Sequence, residues 1–384
     1  MRIGIAGAGP SALYLLRMVR NHDVVVYEED SRLGLPKHCT GLVSMNGATA
    51  LGIYRRDIVM GRYSRVRVIN GEDGSTVTFN LPKHSIIMLD RPSLEESLYD
   101  GSGIIFNARV KAVSPHGDIN TASRDGRFDA VVVAEGARAR LSGIFGIKYD
   151  YLFGIQGDGK AVGDALPSSI DEIIVVFDRR ISSSYFSWIV PIDGGEYRAG
   201  VTDRMERIAG SLAYFRKRFG ISYRTMFGGN VMVSSRGGSL VAGRAAAIGD
   251  STGMNKALTG GGILTGVLSA RLLGLSLDLA NDVDTAFRAY VDAMNTTVGT
   301  ALRFYSYLSS LLYLRSGIQP ILDLLDEVNG LSISVDDYDN HAKAIASVLR
   351  SRPSLLFALL RIVINMDLGS PINAAELLLG RRAT

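Results

Sequence analysis

Apolar and polar positions change period several times along this chain. Residues 2–6 form a short apolar run closed by glycine, which reads as a buried strand. Residues 10–20 place Leu13, Leu16 and Val19 on one face of a helix. Residues 23–28 carry a second apolar run, Val24-Val25-Val26-Tyr27, so the first stretch predicts a βαβ unit. A hairpin is expected over 66–87, with Asp73-Gly74 at its turn, and strands over 104–114 and 127–134. From about 150 to 236 the strand-like segments 173–177, 187–192 and 197–201 dominate, with Asp193-Gly194-Gly195 as a turn and one helical stretch near 205–219. Residues 240–248 return to a strand, 262–273 to a helix, and the pattern after Asp284 is mostly helical.

These patterns predict an α/β chain with three parts. Segments 1–44, 85–149 and 237–283 make a discontinuous Rossmann-type domain. Segments 45–84 and 150–236 make an inserted β-rich, antiparallel-sheet domain for substrate, and 284–384 a helical C-terminal region.

Composition narrows the function classes. The chain has 384 residues, 47% of them hydrophobic, enough to bury a large core. The net charge of +4 comes without a dense basic block interleaved with aromatics, which argues against a nucleic-acid partner. With Cys39 as its single cysteine, the chain has no internal disulfide and no cysteine-built cluster or zinc site, and no metal is expected. A reducing cytoplasm is the expected compartment. The first strand begins too early to leave room for a signal peptide, and no run is apolar enough for a membrane span, so any membrane contact is expected to be peripheral.

Two glycine-rich loops carry the chemistry. In the first, Gly7 permits a tight turn, Gly9 lets backbone approach a pyrophosphate, and the helix opening at Pro10, Ser11 and Ala12 offers free N–H groups. Glu28, 21 residues after Gly7, closes the next strand where a carboxylate can accept ribose hydroxyls, and Glu29 is its near neighbour. In the second, Gly249 and Asp250 follow a strand, and Asp250 suits a ribityl hydroxyl. Gly260, Gly261 and Gly262 then open a helix whose N-terminus favours the charge of a reduced flavin. Together the loops point to FAD.

The chain resembles the geranylgeranyl reductase family, within the flavoprotein group that includes aromatic hydroxylases. The matching segments are Gly7 to Ala12 with Glu28, 34–44 around Lys37-His38-Cys39-Thr40, Asp90-Arg91, 131–138 with Glu135-Gly136, Phe186-Ser187-Trp188-Ile189-Val190-Pro191, and 249–262. They cover about 1–275 in order. The resemblance implies that the Cys39 loop reaches the flavin ring, with Cys39 as proton donor or pocket wall and His38 as a proton relay. It implies that Arg91, Glu135 and Gly136 support the cofactor, and that Phe186, Trp188 and Pro191 line an isoprenoid site. Each has a plainer reading: a buried thiol, a surface salt bridge at Arg91, core packing at Trp188. The chain departs from the family at Glu135, where aspartate is usual, at Phe186 and Val190 in the aromatic segment, and at Lys256-Ala257, near where a proline is common.

The expected function is reduction of C=C bonds in a geranylgeranyl-type isoprenoid, in lipid biosynthesis. The alternatives are an FAD-dependent monooxygenase of the aromatic hydroxylase type and a non-catalytic flavin- and lipid-binding protein. No second nucleotide motif appears, so the electron donor is NAD(P)H or a ferredoxin-like carrier. The apolar stretches 301–314 and 355–360, the latter near Arg350, Arg352 and Arg361, suit an apolar tunnel, a peripheral membrane face or ordinary buried helices.

Overall fold

The computed structural model describes residues 1–122, 125–163 and 166–336. Its first sheet assembles three distant segments. Strand Arg2–Ala6 lies between Asp23–Tyr27 and Ala130–Val133, parallel to both. Ala245–Ala247 joins parallel to Ala130–Val133, and short strands Val241–Ala242 and Ile104–Ile105 close the two edges. All four residues of Ala130–Val133 are buried, as expected of a parallel strand covered on both faces. Helix Pro10–Met18 begins with proline, whose missing N–H is an orphan at that position anyway. It packs on helix Ile263–Leu279 through a core containing Leu13, Leu16, Val267, Ala270 and Leu273. Both helices start beside the ends of their preceding strands, where an open α/β sheet builds its ligand site.

The second sheet has eight strands in the order Ser222–Arg236, Lys148–Lys160, Glu196–Asp203, Ser187–Ile192, Glu172–Phe177, Arg65–Asn70, Thr76–Asn80 and Leu331–Ser334. It is mixed rather than antiparallel throughout. Glu172–Phe177 runs parallel to Arg65–Asn70, and Leu331–Ser334 parallel to Thr76–Asn80. The last pairing departs from a C-terminal region read as mostly helical. Leu331-Ser332-Ile333-Ser334 alternates over only four residues, too short to stand out, and buries Ile333 against the sheet. A small sheet of Leu42–Ser44, Ile86–Leu89 and Val59–Tyr63 ties the two regions together.

Helix Val283–Met294 continues through a π-helical turn at Asn295–Gly299 into Thr300–Ser309, and a second π-helical stretch, Ser310–Arg315, follows. Leu302, Tyr305, Ser306, Ser309, Leu311 and Tyr313 are all buried, so much of the apolar stretch 301–314 is ordinary packed helix. The stretch 355–360 lies outside the described residues. No described helix is long and apolar enough to cross a membrane.

Candidate functional site

The first loop is shaped by two glycines with different jobs. Gly7 has φ +99°, and a Cβ there would sit 2.6 Å from the Ala134 carbonyl oxygen. Gly9 is extended and has open space: a Cβ would meet nothing within 4 Å. The helix behind it has no side-chain cap, so its first N–H groups face that space unclaimed. Glu28 turns back to the loop, accepting from Ala8 N at 2.7 Å and Asp30 N at 2.9 Å. Burial raises the Glu28 pKa despite these bonds. Glu29 faces elsewhere, toward Arg109 and Arg138. The two neighbours are thereby separated: Glu28 belongs to the loop and Glu29 to an arginine pair.

The second loop lies directly against the first. Gly249 (φ +66°) and Gly266 both face Ser11, whose Oγ is 2.9 Å from a Cβ built on Gly249 and 2.5 Å from one built on Gly266. Gly249 N also donates to Ser269 Oγ at 2.9 Å. Gly262 leaves the space that the Asp250 carboxylate fills. The turn is closed by Lys256 N donating to Gly261 O, and the C-terminal helix holds it from behind. Ser309 Oγ and Tyr185 Oη both donate to Ala257 O, and Tyr313 Oη to Leu258 O. Gly249→Ala is expected to destabilise the protein by about 1–3 kcal/mol, combining a left-handed backbone with the Ser11 clash. Denaturant unfolding measures it, and an unchanged midpoint would contradict this packing.

The Cys39 loop approaches from the other side. Lys37 Nζ donates to Asp90 Oδ1 at 3.0 Å, and Asp90 caps helix Arg91–Leu98 through Ser93 N at 3.2 Å. This brings Arg91 to the half-buried Cys39. The Arg91 guanidinium donates to Glu95 Oε1 at 2.5 Å and meets the Cys39 thiol, while its Nε is buried without a partner. Burial pulls the Arg91 pKa down, but Glu95 and Cys39 outweigh it and the net shift is upward. Asp250 is raised by burial, opposed by Arg91 and His38. Cys39, Arg91, Asp250 and His38 thus share one region, although the His38 ring is exposed and its Nδ1 lies 3.1 Å from Pro36 O.

The raised Asp250 gives a signed expectation. A carboxyl whose folded pKa lies above its unfolded value contributes stability below the unfolded pKa and loses it as pH rises through the folded one. Asp250→Asn should therefore gain on the wild type in apo-protein thermal melts as pH increases from 4 toward neutrality (about pH 7). A stability difference independent of pH, or one of opposite slope, would contradict the assignment.

The eight-stranded sheet supplies the third wall. Trp188 and Phe186 share a face by the two-residue period of the strand, their rings 6.2 Å apart, and Trp188 stands over Gly200 beside Gln156. Gln156 accepts from Thr40 Oγ1 at 2.8 Å, so this face meets the Cys39 loop. Pro191 falls on the alternate face of the strand from Trp188, and its carbonyl accepts from Tyr63 Oη at 2.5 Å. The Glu135 carboxylate accepts from Arg140 N, Leu141 N, Ser142 N and Ser142 Oγ at 2.6–2.9 Å and so folds the turn after Gly136. Gly136 itself has open space around it.

Glu95 and Gln156 escaped the sequence reading. The four-residue spacing of Arg91 and Glu95 on a helix was a usable signal. Nothing local marks Gln156, because its partner Thr40 lies more than a hundred residues away. Among the described residues no group of three or more His, Cys, Asp and Glu side chains could hold a metal ion.

No family model matches the chain. An uncharacterized protein from Methanocaldococcus jannaschii is 22% identical over 331 residues, 78% of this chain and 81% of that one. A geranylgeranyl bacteriochlorophyll reductase-like protein from Thermoplasma acidophilum matches with a TM-score of 0.77 at 15% identity, over 94% of this chain and 98% of that one. Klebsiella pneumoniae HpxO, solved with FAD and uric acid, matches with a TM-score of 0.61 at 16% identity over 86% and 94%. The flavin-dependent brominase Bmp2 matches with a TM-score of 0.62 at 15% identity over 85% and 93%. At these identities the likeness is one of fold: the chain has the Rossmann-type fold of FAD-dependent oxidoreductases. That fold is similar to the fold of the geranylgeranyl bacteriochlorophyll reductase-like protein over nearly the whole of both chains.

Proposed function

We propose that the protein is an FAD-dependent reductase that saturates C=C bonds of a geranylgeranyl-type isoprenoid, carried on a membrane lipid or its precursor. The observation that carries this reading is the convergence of three walls on one region: the paired glycine loops, the Cys39–Arg91 pair and the Trp188 face of the sheet. The residues fit FAD. Open space at Gly9 would admit a pyrophosphate, Glu28 keeps acceptor capacity for a ribose, and Asp250 would hold a ribityl hydroxyl. When bound, FAD in its reduced form supplies hydride to the alkene.

The protein's own part is to hold, shield and protonate. In this reading the proton that completes saturation comes from the Cys39 Sγ, beside the fixed positive charge of Arg91. Phe186 and Trp188, packed in the apolar cluster on this face of the sheet, would back a site that excludes water and orients a chain lacking polar handles. The electron donor in this reading is NAD(P)H or a ferredoxin-like carrier, and the setting is the cytoplasmic side of a membrane whose lipids it meets peripherally.

Anaerobic incubation of the flavin-loaded, reduced protein with geranylgeranyl lipids should give products heavier by successive pairs of hydrogens in mass spectrometry. A folded, flavin-loaded protein producing none across a panel of isoprenoids would overturn the reading. The fold is also similar to that of 2-methyl-3-hydroxypyridine-5-carboxylic acid oxygenase, with a TM-score of 0.58 at 16% identity, which supports a rival, oxygen-dependent hydroxylation. That rival requires oxygen consumption coupled to a hydroxylated product.

A further inference from the structure

Among the described residues Arg198 is the largest of the fully buried side chains, at 2% exposed. It lies on strand Glu196–Asp203 in the eight-stranded sheet, facing Asp158 on Lys148–Lys160. Their pairing is bidentate: Nε to Oδ1 at 2.7 Å and Nη2 to Oδ2 at 2.9 Å. The Phe227 ring covers the guanidinium at 5.2 Å. A buried ion pair of this kind is a poor source of net stability, because apolar residues of similar volume often serve as well.

Its remaining nitrogen has a different target. Arg198 Nη1 donates to the Thr40 carbonyl at 3.0 Å, crossing from the sheet to the loop that carries Cys39. Gln156 lies two residues before Asp158 on the same strand face and takes hold of the same loop. Its Oε1 accepts from Thr40 Oγ1 at 2.8 Å, and its Nε2 donates to the His38 carbonyl at 3.4 Å. The carbonyls on both sides of Cys39 are therefore held from the sheet, while Arg91 meets the thiol from the dinucleotide-binding side.

We infer that Asp158, Arg198 and Gln156 form a strap that fixes where the Cys39 thiol stands relative to the flavin site, with Arg198 as a positioning residue that itself touches no reacting atom. The value of that position to turnover rests on the proposed reduction; the strap itself does not. A loop tied only to its own domain would follow that domain's motions. Tied also to the sheet, it keeps the thiol registered against the Trp188 face as well.

The decisive variant is Asp158→Leu combined with Arg198→Met, which removes both charges together and keeps volume. It is compared with the wild type and with Arg198→Lys, all loaded with FAD. Because Cys39 is the single cysteine, iodoacetamide labelling reports its position without ambiguity. In the double variant the alkylation rate should change about tenfold, with retained flavin and a cooperative melt. Isoprenoid reduction should lose about a hundredfold in kcat with KM within about threefold, the pattern of a misplaced group rather than of lost binding. Arg198→Lys should fall between the two, since an ammonium cannot make the Asp158 fork and the Thr40 bond in one geometry.

An alkylation rate equal to the wild type's in a folded, flavin-loaded double variant would overturn the strap. If the double variant does not fold, Arg198→Lys decides in the same way. If the wild type reduces no isoprenoid, the proposed function fails, and the alkylation measurement still tests the strap.

Discussion

Replacing Gly9 with valine is expected to leave the chain folded and to strip it of flavin. Gly9 has φ −73° and ψ −180°, extended backbone that any residue adopts, and a Cβ there meets nothing within 4 Å. The apo-protein should therefore unfold within about 0.5 kcal/mol of the wild type. The added side chain, however, fills the open space at Gly9 through which, in the proposed reading, a pyrophosphate would reach the N–H groups of helix Pro10–Met18. Affinity for FAD should fall at least about a hundredfold, roughly 3 kcal/mol, read from the flavin absorbance of the purified protein and by titration of the apo form.

Gly7→Ala makes the necessary contrast. At φ +99°, with the Ala134 carbonyl 2.6 Å from the new Cβ, it should damage the fold itself. A Gly9→Val protein that purifies with a full complement of flavin would remove the first loop from the cofactor site.

The same contrast separates what is local in the sequence from what only the fold brings together. The strand–loop–helix–strand of the first 28 residues is local, and its periodicity and glycines speak for themselves. The pairing of the two distant glycine loops was legible as chemistry, since each suits a different half of one ligand. Their direct contact through Ser11 was not, because it depends on which helix faces lie together. The same limit explains Glu135. Four donors from the turn that follows it claim its carboxylate, and no one-dimensional pattern distinguishes that from an outward-facing acid.

Sheet order was the other blind spot. Alternation tells which residues share a face of a strand, and so links Phe186 with Trp188 and sets Pro191 on the other face. It does not tell which strand lies alongside. Leu331–Ser334 comes back to pair with Thr76–Asn80 across some 250 residues, and only the assembled sheet reveals it. Arg91 combines both lessons. Its partner Glu95 was in reach of helical spacing, whereas its meeting with Cys39 follows from the Lys37–Asp90 bond that draws two segments together.

The role of Cys39 is where that meeting has its largest expected consequence. Cys39→Ala should lower kcat for isoprenoid reduction by about 10²–10⁴, equivalent to roughly 3–5 kcal/mol in the barrier, as the loss of a positioned proton donor does. The thiol is small and only half-buried, so flavin content and unfolding midpoint should stay close to the wild type. Cys39→Ser separates proton delivery from pocket shape. Serine keeps nearly the same volume and can still accept from Arg91, but it is a far weaker acid, so a proton-donor role requires that it too lose at least about tenfold. If shape alone mattered, serine would retain the rate. His38→Gln should stay within about threefold of the wild type, because the ring is exposed and its hydrogen bond is to a loop carbonyl rather than to the thiol. Single-turnover reoxidation of the reduced flavin by substrate measures all three variants without interference from the electron donor. Rates for Cys39→Ala and Cys39→Ser both within threefold of the wild type would move the proton source away from this thiol.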